Sequence, residues 1–536
     1  MTQSQVLIVG AGPSGLVLAL WLNRMGVDVR IVDQAPGPGT TSRALAVQAR
    51  TLELYRQLDL TLPVLDEGYA VEAFNVWAEG EHKARIELGA IGAGVTPYPF
   101  LQIYPQDRHE RMLCARLQEA GVQVERQCTL EGFREDDDAV IAQLRNAAGN
   151  EEQCEARYIV GCDGARSKVR EIIGAGFPGG TYRQVFYVAD IEGESPALNG
   201  ELNIDLDESD ILAVFAMAPR GAGRLVGTVR DERAERAETL TFADVSGRAI
   251  DNLMISVHKV NWFSTYRVHH RVAERFRRGR AFLVGDAGHI HSPAGGQGMN
   301  TGIGDAINLA WKLAAVVQGR APDALLDSYE AERLPFARRL VDTTDRVFSF
   351  ITADGPVAEI VRTGVAPRLL PLLARLPFTR EYFFRTISQT VIHYRHAPLN
   401  AGTAGKVHGG DRLPWVQFAD GASQLDTQSD TQSASQPDIQ PDIQSGVPRD
   451  NYAPLARPAW QAHVYGQARP ELMQWCDHQR VTLRQFAWND ACAHAGLARD
   501  AIYLLRPDTY IGLAAGTPSI SALDEYLRAN ALTLHR

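Results

Sequence analysis

None of the six cysteines, which stand scattered at Cys114, Cys128, Cys154, Cys162, Cys476 and Cys492, falls into a C-x-x-C pair. That spacing offers neither a dithiol redox centre nor a zinc site, and it suggests no disulfide framework, so a reduced compartment is expected. Dense Lys/Arg runs are absent too: 54 basic residues face 64 acidic ones, for a net charge of −10. Nucleic acid is therefore not an expected partner. No apolar run approaches the ~20 residues of a membrane-spanning helix. The first strand-like run follows MTQSQ directly, leaving no space for a secretory signal. A cytoplasmic protein without a membrane span is the expectation. Residues 421–448 contain no Lys, Arg or aromatic residue and repeat DTQS and QPDI. So little of that stretch can be buried that a disordered loop is expected there.

What is present begins with chemistry at the N-terminus. Val6–Val9 suits a buried parallel strand, and Gly10, Ala11, Gly12, Pro13, Ser14 and Gly15 carry G-x-G-x-x-G. Leu16–Met25 has helical apolar spacing, and Val27–Val32 is a second strand ending in Asp33. Gly10 permits a tight turn, Gly12 lets backbone approach a pyrophosphate, and Gly15 lets helix and strand pack closely. Backbone N–H groups at the helix start then face the phosphates, and Asp33 suits a ribose hydroxyl pair.

Farther on, the spacing predicts helices over Val47–Leu58 and Gln106–Ala120, a β region over Tyr69–Leu88, and a strand Tyr158–Cys162 closing on Asp163-Gly164. Residues 180–270 alternate apolar and polar positions, as in FYVADIEG and RLVGTVRD, which predicts a mostly antiparallel sheet. Ala281–Val284 returns to the buried-strand pattern, Thr301–Val317 reads as a helix, and 325–395 is mainly helical. After the polar stretch, the chain resumes strands at AIYLLRP and Tyr510–Leu513 and a helix at Ser521–Ala529.

A second glycine-rich segment, GDAGHIHSPAGGQGMN, spans Gly285–Asn300. Together with the first motif and GCDGARSKVR, it resembles the class A flavoprotein aromatic monooxygenases, the phenol hydroxylase, 3-(3-hydroxyphenyl)propionate hydroxylase and polyketide hydroxylase group. The resemblance covers roughly residues 4–400 and, more loosely, the C-terminal part through GDRLPW and LLRPDTYIGL. It implies an α/β fold: a Rossmann-like FAD-binding domain over 1–180 and 271–345, an inserted antiparallel substrate-binding sheet over 181–270, a helical segment over 346–400, and a thioredoxin-like domain over 401–536. It also implies FAD as cofactor and NAD(P)H as transient co-substrate, with Gly10–Gly15 and Asp33 at the ADP half and Asp163 near the pyrophosphate. The isoalloxazine then lies at Gly285, Asp286, Pro293, Gly296, Gly298, Met299 and Asn300, with Arg43 and Gln106 beside it. Asp286 can accept from ribityl hydroxyls, and N–H groups near Met299 can stabilise negative charge on the reduced ring.

The implied reaction uses O2 through a C4a-hydroperoxyflavin, whose distal oxygen passes to a small phenolic ring. His289 and His291 are the nearest candidates for a phenol-activating base, and Phe186, Tyr187 and Phe215 for a substrate wall. Two other readings remain open: oxygenation of a polycyclic natural product or antibiotic, including Baeyer–Villiger attack, and a non-catalytic nucleotide-binding interaction protein. A homodimer is compatible with every reading. The chain has no W-x-W-x-I-P segment, which disfavours a flavin halogenase.

Overall fold

In the computed structural model, described for residues 2–40, 44–78, 80–206, 211–217, 221–229, 240–245, 247–292, 296–351, 377–418, 450–516 and 519–534, the run Val6–Val9 lies at the centre of a parallel sheet. Its strands are β1 (Thr2–Val9), β2 (Val29–Asp33), β3 (Val124–Arg126), β4 (Glu151–Gly161) and β5 (Ala281–Leu283), in the order β5-β4-β1-β2-β3. Each neighbouring pair is parallel. Ile8 lies between Ile31 and Val160, and burial on both faces explains why the run is continuous rather than alternating. The helices that matter for the site are α1 (Pro13–Arg24), α2 (Ala49–Tyr55), α3 (Gln106–Glu119), α4 (Lys168–Ile172), α5 (Gly298–Val317), α6 (Asp327–Ile351) and α7 (Pro377–Ile387). α1 packs against both α3 and α5. Leu16–Leu22 of α1 is buried throughout, so the helix is a core element.

The second sheet runs in the order His289–Ile290, Ser256–Val272, Gly179–Glu194, Ala222–Val229, Ile211–Met217, Leu202–Leu206, Ala73–Ala78, Glu81–Glu87. Its pairs are antiparallel except Leu202–Leu206 with Ala73–Ala78. The span 181–270 expected for this sheet is therefore incomplete, because two strands from 73–87 extend it. Period-2 patterning identifies a strand but not the edge that it joins. One face is sealed by Ala249, Ile250 and Leu253 from the helix Gly247–Asn252 and the turn after it.

The C-terminal unit has β6 (Ala401–Ala404), β7 (Gln461–Tyr465), β8 (Thr482–Phe486), β9 (Ile502–Leu505) and β10 (Ile511–Ala515), ordered β6-β10-β9-β7-β8. β7 pairs parallel with β8, while β9 runs antiparallel to both β7 and β10. Its core is continuous with that of the first sheet: the Trp311 and Trp460 rings meet edge-on at 5.7 Å. Within 346–400, helix is found to Ile351 and over Pro377–Ile387. Residues 388–399 form turns instead, starting where Gln389 takes φ 60°. The expected disordered stretch 421–448 lies outside the described residues.

Candidate active site

The three glycine-bearing motifs meet at one place. A Cβ on Gly285 would stand 2.8 Å from Ser14 Oγ, and one on Gly302 would run into the same hydroxyl. A Cβ on Gly10 would stand 2.8 Å from Asp163 N, where Gly10 itself sits at φ +103°. Arg170 closes the third side by donating from Nη1 to the Ala287 carbonyl at 2.8 Å. Only hydrogen side chains allow these backbones so close.

Two helix starts open onto this junction. Neither α1, whose N-cap is Gly12, nor α5, whose N-cap is Gln297, has a side-chain cap or an acidic residue in its first turn. Their leading N–H groups have no intrahelical acceptor, which leaves donors and positive dipole ends for an anion. Gly12 has nothing within 4 Å of where a Cβ would be. Asp286 is exposed although Gly285 and Ala287 beside it are buried, and a carboxylate so placed can accept from hydroxyls of a bound molecule. At the other end, Asp33 accepts from Ala11 N at 2.6 Å and Ala35 N at 2.7 Å. Arg126 Nη1 also lies 3.8 Å from its Oδ1, and each oxygen keeps a further lone pair that can accept from a ribose hydroxyl. An open glycine, uncapped helix starts and a carboxylate at each end fit an extended dinucleotide such as FAD.

Other expected residues have more indirect places. Asp163 spends one oxygen on α4: its Oδ2 accepts from Lys168 N at 2.7 Å and Val169 N at 3.1 Å, its Oδ1 is buried with no partner among the described residues, and burial raises its pKa. Gln106 starts α3 and donates from Nε2 to Glu110 Oε1 at 2.8 Å. Asn300 is 1% exposed. Its Oδ1 accepts from Gln48 N and Thr51 Oγ1, each at 2.8 Å, and its Nδ2 donates to Ala46 O at 2.8 Å and Gly296 O at 3.0 Å. That side chain is spent on fastening α5 to the strand Ala46–Val47, leaving only its backbone for a ligand. Met299 is half-buried, and Gly296 takes φ +61° with its Cβ direction 2.8 Å from Ala46 Cβ. Arg43 and Pro293 lie outside the described residues.

The histidines part company. His289 is buried, and its Nε2–H donates to Asp305 Oδ2 at 2.6 Å. Asp305 also accepts from Arg333 Nε at 2.6 Å and Gly285 N at 3.1 Å. Burial opposes the charge on Asp305, but Arg333 holds its pKa below the usual carboxylate value. His289 thus commits its Nε2 to a buried triad, while its Nδ1 is buried with no partner among the described residues. His291 donates from Nδ1 to the Ser292 carbonyl at 2.8 Å, leaving Nε2 buried with no partner among the described residues and 3.8 Å from where a Gly298 Cβ would be. Burial, with His289 adding to it, lowers its pKa to about 4, so the ring is neutral near pH 7.

Phe186 and Tyr187 are adjacent on one strand and so point to opposite faces. Tyr187 belongs to the sealed core, its ring 6.0 Å from Phe263, and is no wall of a cavity. Phe186 packs with Tyr266 on the other face. Phe215 lies in one transverse row across the sheet, Ile86–Phe74–Leu202–Phe215–Arg224–Asp190–Trp262, in which each residue is the register partner of the next. Direct partners share a face. Phe215, Leu202 and Phe74 cluster with Phe384 of α7 and with Ala46, which touches Gly296. An apolar surface thus continues from the second glycine segment onto the sheet. In the row, Arg224 is held by Asp190 at 2.6 and 2.7 Å.

Sequence reasoning missed Phe74, Asp305 and Arg333. Asp305, Asn308 and Lys312 were nonetheless visible as polar residues spaced along one side of an otherwise apolar helix, a pattern that signals a buried network.

Comparison with known proteins agrees with this geometry. The family described as FAD binding domain matches residues 3–344. The 6-methylpretetramide 4-monooxygenase of Streptomyces rimosus is 38% identical over 419 residues, covering 76% of this chain and 73% of that protein. The rifampicin monooxygenase of Rhodococcus hoagii is 34% identical over 415 residues, covering 73% and 79%. Among solved structures, OxyS anhydrotetracycline hydroxylase from Streptomyces rimosus superposes with a TM-score of 0.76 at 28% identity, covering 98% of this chain and 99% of that one. The chain belongs to the class A flavoprotein aromatic monooxygenases. It is an FAD-dependent enzyme with NAD(P)H as co-substrate, and the reading as a non-catalytic nucleotide-binding protein is set aside.

Proposed function

We propose that the enzyme oxygenates a polycyclic aromatic compound of the polyketide or antibiotic class, rather than the small phenol the sequence first suggests. The observation that carries this reading is the naming of relatives at 34–38% identity for 6-methylpretetramide and rifampicin. The apolar row Phe74–Leu202–Phe215, clustered with Ala46 beside Gly296, supports it as an apolar wall close to the second glycine segment.

In this reading Gly10, Ala11, Gly12, Pro13, Ser14 and Gly15, with the start of α1, take the pyrophosphate, and Asp33 takes the adenosine ribose. Asp286 takes the ribityl hydroxyls. Gly285, Gly296, Gly298 and the N–H groups at Met299 and Asn300 approach the ring. Gln106, Arg43 and Pro293 stand beside it by sequence correspondence, and Asp163 contributes by holding α4. FAD, when bound, accepts a hydride from NAD(P)H and activates dioxygen. The chain's own work is to orient the substrate over the ring and to exclude water. Of the two histidines, His291 has its Nε2 3.8 Å from where a Gly298 Cβ would be, and it is the better placed to accept a hydrogen bond from a phenol.

The FAD-binding unit comprises 1–180 and 271–345 except for 73–87, which joins 181–270 as the substrate roof. The β8-β7-β9-β10 order, with a helix between β7 and β8 and another after β10, supports a thioredoxin-like reading of 401–536. The test is NADH and NADPH oxidation by the FAD-loaded enzyme with anhydrotetracycline against phenol and 3-(3-hydroxyphenyl)propionate. Anhydrotetracycline should stimulate oxidation and yield a product one oxygen atom heavier. Stimulation by the small phenols alone would return the assignment to aromatic catabolism.

A further inference from the structure

We propose that the turn 506–510 of the C-terminal unit is a positioning element for the cofactor, one that holds α5 from behind and so sets how strongly its N-terminus favours reduced FAD. The proposal rests on the placement of FAD given above. The turn belongs to LLRPDTYIGL, a motif to which that function gave no task.

The contacts are many and buried. Asp508 Oδ2 accepts from Trp311 Nε1 at 3.0 Å and Asn308 Nδ2 at 3.5 Å, both on α5. Arg506 Nη1 donates to Glu332 Oε1 of α6 at 2.6 Å, while Glu332 Oε2 accepts from Lys312 Nζ at 2.8 Å and Asn308 Nδ2 at 2.7 Å. Arg506 also pairs with Asp508. Lys312, Glu332 and Arg506 side chains have 0% exposure and Asp508 2%. Two cations and two anions therefore neutralise one another out of water. Such a set tolerates only one geometry, because losing a member leaves a buried charge unmatched. The turn's backbone reaches α2 as well: the Asp508 carbonyl accepts from Arg50 Nη2 at 3.1 Å, and Thr509 Oγ1 accepts from the same nitrogen at 2.9 Å.

Asn308, Trp311 and Lys312 lie on one side of α5, behind Asn300, whose side chain fixes the helix start. A cavity of about 20 Å³, room for roughly one water, lies between the turn and that start, with Asn300, Asn308, Asp508 and Arg50 in its lining. Arg50 Nε is buried there without an acceptor among the described residues. The turn and the helix start thus line one small cavity together. Reduced flavin carries added negative charge, so the position of that positive dipole end weighs the two redox states against each other.

Coupling of this kind is reciprocal, so wild-type chain tests it by hydrogen exchange with and without FAD. FAD should slow exchange at 506–511 as well as at 298–304, and leave the helix Asp490–His494, in the unit's other core, unchanged. Unaltered exchange at 506–511 would overturn the proposal. In a second arm, Asp508→Asn and Thr509→Val should each weaken the preference for reduced over oxidised FAD roughly tenfold, which a two-electron couple reads as a midpoint about 30 mV lower. Asn489→Ala, which removes the cap of Asp490–His494, should lower the melting temperature and leave the midpoint alone. Equal midpoints in all four proteins, or an equal shift in Asn489→Ala, would overturn it. A wild-type chain that takes up no FAD would instead fail the underlying placement, and this proposal with it.

Discussion

Gly10 and Gly12 are neighbours in one motif with opposite duties. Gly10 is strained for any other residue, at φ +103° and facing the Cys162–Asp163 backbone, whereas Gly12 faces open space from an ordinary φ of −76°. Gly10→Ala should therefore lower stability by about 2 kcal/mol or more. Gly12→Ala should leave melting of the apo-protein within about 0.5 kcal/mol of wild type. Equal losses in a denaturation series would contradict the assignment. The spacing of glycines was legible because each is a steric necessity. The fate of Asp163 was not, since a strand-end Asp-Gly reads the same whether its carboxylate faces a ligand or caps the next helix.

Also at the residue scale, His109 and His463 are both 0% exposed, and burial lowers each pKa to about 3 from 6.5. Between those values the unfolded chain binds more protons than the folded one, so their neutral burial makes stability fall as pH drops below about 6.5. Each can contribute up to about 1.4 kcal/mol per pH unit. His463→Gln should flatten the fall measured by denaturant unfolding at about pH 7 and about pH 5.5. An unchanged slope would show that His463 is not held neutral.

At the scale of elements, α5 is the piece on which the site depends. Its apolar period was readable, and the helix begins at Gly298, close to the expected Thr301. What fixes its start was not readable, because three of the four hydrogen bonds of Asn300 reach residues 46–51, far away in sequence. Asn300→Ala strands a buried Gln48 N–H and Ala46 carbonyl and should cost about 2–4 kcal/mol. It should also reduce FAD retention on gel filtration. Full retention at wild-type stability would show that the α5 start is held by other contacts. The strands of 73–87 give the same lesson in another form: alternation showed that they were strands, but their partner, Leu202–Leu206, lies beyond any local signal.

Across the whole molecule, the change of period along the chain made the buried parallel strand Val6–Val9 and the antiparallel strands within 180–270 legible. The continuity of the cores was not. No local signal links Trp460 to Trp311, whose ring it meets edge-on, or Arg506 to Glu332, beside which it is fully buried. Burial of charge depends on a partner that sequence alone cannot place.

In the proposed function, motifs from distant parts of the chain hold the two ends of one FAD in a single cleft. Flavin content of purified Gly12→Val and Asp286→Ala, read by absorbance against protein and compared with wild type, tests this most directly. Wild type should carry close to one FAD per chain, and both variants should emerge folded by circular dichroism yet with little or none. Full flavin occupancy in either variant would contradict the shared site.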